Sequence, residues 1–193
     1  MILGDCVAVE EISSGYSFRG KVEPQQDGKV GILQMKDITD DYYDFKYDAV
    51  DRSSAYEFKE KFILKDKDIL FVSKGANNYA VLFKEQEFPC VASGTFFVIR
   101  VDQTKIVPAY LVWYINQSKV QSYLTERKAG TYVLNLTKQD VIDIPLQMPN
   151  YDLQQKIGDF IKLYQREQQL EELIKSNKQQ FIQKQLLNLI DHE

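Results

Sequence analysis

The sequence predicts an α+β fold: a mixed, β-rich head with short helices over residues 1–150, then a long coiled-coil helix over residues 151–193. Three observations carry this. Asp68 to Val72 and Pro89 to Val101 are apolar, rich in β-branched and aromatic residues, and bounded by turn residues, which is the pattern of buried strands. Pro145 and Pro149 remove backbone donors and bias the residues before them toward extended geometry, so Gly130 to Pro149 reads as a strand or extended exit from the head. Beyond Pro149, Asn150 and Asp152 offer N-cap oxygens, and from Leu153 there is no Pro and a single Gly, so a helix can run almost to residue 193.

Composition narrows the class. A hydrophobic fraction of 44% and a charged fraction of 27% over 193 residues suit a soluble chain with a real core. No apolar run approaches the roughly 18 to 20 residues of a membrane span, and Met1 to Asp5 lacks the basic start of a secretory signal, so a cytoplasmic location is expected. Cys6 and Cys90 lie far apart and His192 stands alone near the end of the sequence, so neither a zinc site nor a disulfide framework is expected. The net charge of −4 weighs against a polyanionic partner, although phosphate contacts depend on local clusters and aimed loops, not on the sum.

In chain order, residues 1–12 alternate apolar groups with acids and suit a half-buried strand or a short helix. Ser13 to Lys21 follows as a loop whose two glycines bracket Tyr16, Ser17 and Arg19, with Lys21 just beyond; it is not a nucleotide-binding Walker loop, because Val22 stands where the metal-holding hydroxyl belongs. A turn that merely packs Tyr16 and Phe18 on the core is the alternative. Val30 to Ile38 reads as a strand entering a polar loop that contains Lys36, and Thr39 to Ala55, with five aspartates among three tyrosines, reads as an exposed irregular segment. Those acids lack the ligand order of an EF-hand. Tyr56 to Leu64 alternates like a strand, and its Glu57-x-Lys59 pair invites a nuclease reading that two residues cannot carry.

Lys65 to Phe83 reads as turn, buried strand, glycine loop, buried strand. Within the loop, Lys74 suits a phosphate, while the amides of Asn77 and Asn78, followed by Tyr79, suit two-point bonding to an adenine edge. Left-handed hairpin asparagines explain the same pair. Pro89 to Val101 reads as one central strand with Arg100 snorkelling or capping the sheet, and Ile106 to Tyr123 shifts to helical spacing with Pro108 in the first turn. Arg127, Lys128, Gly130, Thr131 and Tyr132 then form a basic, glycine-containing loop suited to clamping a backbone, or a helix end whose cations offset the dipole.

From Asp152 to Ile190 a continuous helix would span roughly 57 Å, too long for a compact domain of this size. Leu153, Ile157, Phe160 and Tyr164 make a four-three-four seam, and Leu163, Leu170, Ile174 and Phe181 continue the stripe. Glu167 and Asn177 interrupt it as polar register pins. A break at Ser176-Asn177 is the alternative to continuity.

Several pieces in order resemble one known family. Leu136-Thr137-x-x-Asp140-Val141-x-x-Ile144-Pro145-Leu146-x-x-Pro149 followed by Gln154-Gln155-Lys156-Ile157 is similar to the end of a target recognition domain and the start of the spacer helix in specificity subunits of type I restriction-modification systems. The Ile32-to-Ile38 element, Asp68 to Phe71 with Ser73-Lys74-Gly75-Ala76, and Pro108 to Asn116 resemble further elements of the same family, with Lys67 in place of its usual turn glycine. The resemblance implies a non-catalytic DNA reader with one recognition domain and one spacer, half of a full-length subunit. It implies contact with double-stranded DNA through Tyr16, Ser17, Arg19, Lys21, Lys36, Lys74, Asn77, Asn78, Tyr79, Arg127, Lys128, Thr131 and Tyr132. It further implies either a homodimer through the helix or a truncated unit awaiting another partner, with docking of methyltransferase subunits and a restriction-translocase subunit, and no cofactor or metal of its own. Consistent with that, the sequence has no Asn-Pro-Pro-aromatic motif and no P-loop. The competing reading is a coiled-coil scaffold with a protein-binding head.

Overall fold

The computed structural model describes residues 1–25, 27–39, 43–128 and 135–190. Asp40, Asp41 and Tyr42 of the acidic segment and His192 lie outside that set, as do Gly130, Thr131 and Tyr132 of the third loop. Among the described residues, seven strands form two sheets: β1 (Val9–Ser14), β2 (Val30–Leu33), β3 (Asp51–Ser53), β4 (Ile69–Val72), β5 (Ala80–Leu82), β6 (Cys90–Ala92) and β7 (Phe96–Val101). A four-stranded antiparallel sheet has the order β1-β7-β4-β5, and a three-stranded sheet the order β3-β2-β6, with β2 and β6 parallel.

Strand β4 explains why its sequence is apolar at every position. Ile69 and Phe71 face a core shared with the helices, whereas Leu70 and Val72 face a second core shared with Leu33, Phe83 and Phe96. A strand covered on both sides cannot alternate with polar residues. Helices α1 (Pro108–Ile115), α2 (Ser118–Lys128) and α3 (Lys138–Ile142) cover the first face. Helix α4 (Tyr151–Ile190) is 40 residues of uninterrupted helix, about 60 Å in length, and leaves the head beyond its first turns. It is continuous through Ser176 and Asn177. No helix among the described residues is long and apolar enough to cross a membrane.

Four local readings are corrected. Pro89 to Val101 is not one strand: the turn Ser93-Gly94-Thr95 divides β6 from β7 and passes the chain from one sheet to the other. Tyr56 to Leu64 forms no strand; Tyr56, Phe58 and Phe62 instead pack edge-on with Tyr16 and Phe18, and Glu60–Phe62 is a 3-10 turn. The helical stretch from Ile106 breaks at Asn116, whose side chain leaves the helix to bond both the N–H and the C=O of Ala80 on the edge strand β5, at 2.8 and 2.9 Å. The segment after Thr39 is only partly irregular, since Phe45 and Val50 are buried and β3 follows.

Two polar devices hold the head. Arg100 donates two hydrogen bonds, 2.8 and 2.6 Å, to the carboxylate of Asp68, which is 2% exposed. That pairing raises the guanidinium pKa, so Arg100 is a sheet-bound ion-pair partner more than a snorkelling side chain. Leu136-Thr137-x-x-Asp140 proves to be a helix start: Thr137 and Asp140 form a capping box at the head of α3. The extended exit expected there begins only after Asp143.

Candidate nucleic-acid interface

The strands deliver their loops to one end of the head. Strands β1, β2, β4 and β6 all exit where β7 enters, because β1 and β4 each run antiparallel to β7 while β6 runs beside β2 and turns directly into β7. At this end a cleft of about 450 Å³ is lined by Ser17 and Lys21 from the loop after β1, Met35 and Lys36 after β2, Lys74 after β4, and Ser93, Gly94 and Thr95 between β6 and β7. Four residues singled out from sequence, Ser17, Lys21, Lys36 and Lys74, therefore meet in one concavity. A chain of net charge −4 presents three lysines there.

Close backbone approach makes this possible. Gly15 donates its N–H to Phe96 O and Tyr16 its N–H to Ala92 O, at 3.0 and 2.8 Å. A Cβ at position 15 would stand 2.2 Å from Ser93 O, so only glycine fits. Gly75, with φ of +94°, turns the loop after Lys74. Lys36 is held 2.5 Å from Asp51, and that hydrogen bond raises its pKa. Its ammonium stays charged across the physiological range but is already partly neutralised.

Tyr16 and Arg19 line an adjoining hollow of about 520 Å³ with Lys61 and Phe62, sharing Ser17 with the cleft. The third predicted loop is tethered to the second: Lys128 Nζ donates to Ala76 O at 2.6 Å, and Leu136 N–H to Ser73 O at 2.8 Å. Arg127 is exposed with its guanidinium carbon 5.0 Å from the Tyr123 ring centre. Thr131 and Tyr132 fall outside the described residues.

Asn77 and Asn78 separate. Asn77 is exposed, but Asn78 is 2% exposed and donates from Nδ2 to Val72 O at 2.9 Å, so it is a structural amide that cannot reach a base edge. Neither takes the left-handed backbone of a hairpin asparagine. Among the described non-glycine residues that conformation belongs to Lys67 (φ +66°), standing at the turn before β4. Tyr79 is half-buried against the inter-sheet core. No group of three or more His, Cys, Asp or Glu side chains converges among the described residues, and Glu57 and Lys59 are both exposed.

Sequence reading passed over Met35, Ser93 and Thr95 in the cleft. Met35 adjoined a lysine already singled out, so its place in that loop was visible. The Ser93-Gly94-Thr95 turn was hidden inside a run apolar enough to pass for one strand.

The base of α4 lies at the far end of the same sheet. Lys67, just before β4, lines a hollow with Tyr151 and Gly158, whereas Lys74, just after it, lines the cleft. The six residues Asp68 to Ser73 separate these ends by roughly 20 Å. Helix α4 is seated there by polar and small residues: Gln154, 1% exposed, accepts from Val107 N–H at 3.0 Å and donates to Pro149 O at 2.8 Å, and Asn150 caps the helix through Leu153 N–H. Gly158 faces Val107 and Ala109 of the α1 segment, where a Cβ would stand at ordinary contact distance, 3.4 and 3.5 Å. Of the expected seam, Ile157 packs on the head, while Leu153, Phe160, Tyr164, Leu170, Ile174 and Phe181 are exposed, Phe160 at 71%.

Comparison with known proteins agrees with this architecture. Residues 3–179 match the family described as the type I restriction modification DNA specificity domain. A solved chain from work on the structural basis of complex assembly and conformational transition of the type I R-M system aligns with a TM-score of 0.58 at 14% identity, covering 86% of this chain and 38% of that one. The crystal structure of the HsdS subunit from Thermoanaerobacter tengcongensis aligns with a TM-score of 0.53 at 15% identity, covering 86% of this chain and 37% of that one. The present chain thus spans less than two fifths of either. No curated protein matches.

Proposed function

The chain belongs to the type I restriction modification DNA specificity family, and from that premise we propose that it is a non-catalytic DNA reader, recognising one half of a two-part site. The observation that carries this is the convergence of Ser17, Lys21, Lys36 and Lys74 in one cleft, at the opposite end of β4 from the seat of α4. Residues 1–150 act as the recognition head and residues 151–193 as the spacer. The cations position the phosphate backbone, and neighbouring loop side chains reach base edges. The exposed stripe of α4 pairs with a second copy, which places two heads on one duplex, and the resulting spacer is the docking site for methyltransferase subunits and a restriction-translocase subunit. The chemistry belongs to those partners, and the chain itself works in the cytoplasm without a cofactor.

The test is the salt dependence of duplex binding. Each phosphate contact contributes about one counterion to the slope of log affinity against log salt. Lys21→Ala and Lys74→Ala are expected to reduce that slope by about 1 each with no change in thermal unfolding. Slopes equal to that of the unaltered chain would remove the cleft from the DNA interface.

A further inference from the structure

Most of the head keeps its large apolar side chains out of water. Among the described head residues, Met1, Val7, Met35 and Tyr43 are the large apolar side chains that stand more than a third exposed. Of these, only Met35 lines the lysine-bearing cleft. A thioether gives nothing to a phosphate, so its place among Lys21, Lys36 and Lys74 calls for an apolar group on the same ligand.

The surrounding backbone fixes Met35 in that place. Residues Met35–Asp37 form a 3-10 turn closed by Asp37, which accepts from Gln34 N–H at 2.8 Å and donates its own N–H to Gln34 O at 3.0 Å. The side chains on either side, which also line the cleft, share an anchor on β3: Gln34 Nε2 lies 3.0 Å and Lys36 Nζ 2.5 Å from Asp51 Oδ2. Met35 goes to the other loop instead, its methyl carbon 3.8 Å from where a Cβ on Gly75 would stand. It therefore bridges two of the loops that build the cleft and, 37% exposed, forms part of the cleft wall.

On the base edges of a DNA major groove the apolar feature is the C5 methyl of thymine, or of 5-methylcytosine where cytosine is modified. We infer that Met35 reads a pyrimidine C5 methyl group, giving the head a preference for a methyl-bearing pyrimidine at one position of its target. The inference rests on the cleft being the DNA-binding face. Methionine suits the role, since its flexible, polarizable side chain adjusts to a methyl without demanding hydrogen-bond geometry. Burial of one methyl group on this surface is worth about a fourfold change in affinity.

The experiment uses the full chain and three pools of randomised duplex: one with ordinary bases, one with uracil replacing thymine, and one with uracil for thymine and 5-methylcytosine for cytosine. Bound DNA is selected and sequenced, and affinities are then measured on the enriched duplexes. The expected result is a motif from the ordinary pool containing at least one thymine whose replacement by uracil weakens binding about fourfold, a difference abolished in Met35→Ala. Enrichment of 5-methylcytosine in the third pool would also support the inference, and would show that the methyl group, not the thymine carbonyl pattern, is what is read. Equal affinity for thymine and uracil at every position of an enriched motif overturns the inference while leaving the DNA-reader assignment intact. Failure to enrich any motif overturns both. The comparison of thymine with uracil needs no variant, so it stands even if Met35→Ala is poorly folded.

Discussion

The head and helix α4 treat their apolar residues in opposite ways. In the head, β4 buries Ile69, Leu70, Phe71 and Val72 completely between two cores. Along α4, Phe160, Leu163, Ile174, Phe181, Leu186 and Ile190 are each more than half exposed. The contrast extends to polar groups, since the buried amide of Gln154 joins Ile157 in seating α4 on the head. The head draws its stability from within the chain. Helix α4, beyond its first turns, has to draw it from another surface.

The largest expected effect tests the helix. Leu170→Glu places a charge in the proposed pairing seam of both copies, and should cost about 4 kcal/mol of dimer stability from two lost apolar burials. Light scattering should show a monomer at concentrations where the unaltered chain is a dimer, while the thermal transition of the head stays in place. If the unaltered chain is a monomer at tens of micromolar, α4 is completed by a different partner.

Next comes a test of the head. Arg100→Met leaves Asp68 buried without its cation, and breaking a buried pair in this way should cost about 3 kcal/mol in chemical denaturation. Self-association should be unaltered under native conditions. A loss under 1 kcal/mol would mean that solvent reaches Asp68 and that the head depends less on this pair than its burial indicates.

Gln154→Ala probes the junction between the two regions. It removes partners from Val107 N–H and Pro149 O, a loss of about 2 kcal/mol. Hydrogen exchange should show faster opening of the first turns of α4, with β4 and β7 still protected. Uniform acceleration throughout would instead make head and helix one cooperative unit.

The smallest effect concerns the turn before β4. Lys67 holds a left-handed backbone that is strained for any residue with a Cβ, so Lys67→Gly should raise head stability by up to about 1 kcal/mol. A shift in the denaturation midpoint with an unchanged slope would confirm this.

These regions were unequally legible in the sequence. Strand β4, its glycine loop and β5 could be read because a doubly buried strand leaves a continuous apolar run. Helix α4 could be read because Pro and Gly vanish. The turn at Ser93-Gly94-Thr95 could not, since its flanks are both core and only the sheet topology shows that they belong to different layers. Tyr56, Phe58 and Phe62 alternate as a strand would, but ring-on-ring packing satisfies that spacing without a ladder. Structural amides were the least visible. Asn78, Asn116 and Gln154 look like surface residues in a sequence, and only the carbonyls and N–H groups they meet identify them as structural. In the cleft, the cations could be named in advance, but their convergence depends on strand direction, which no local pattern encodes.

The clasp between the two ends of the head has a consequence for the order of assembly. Leu3 N–H bonds Ile144 O and Leu146 N–H bonds Met1 O, each at 2.8 Å. A chain emerging from the ribosome can pair β1 with β7 once residue 101 has been made, but leaves Met1 and Leu3 without these partners until residue 146 has followed, and folding governed by such distant pairings is slow. Helix α4 is synthesised only afterwards. Its adhesive stripe is thus presented by a head already able to close, which limits the time during which two sets of unsatisfied apolar surface coexist on one nascent chain.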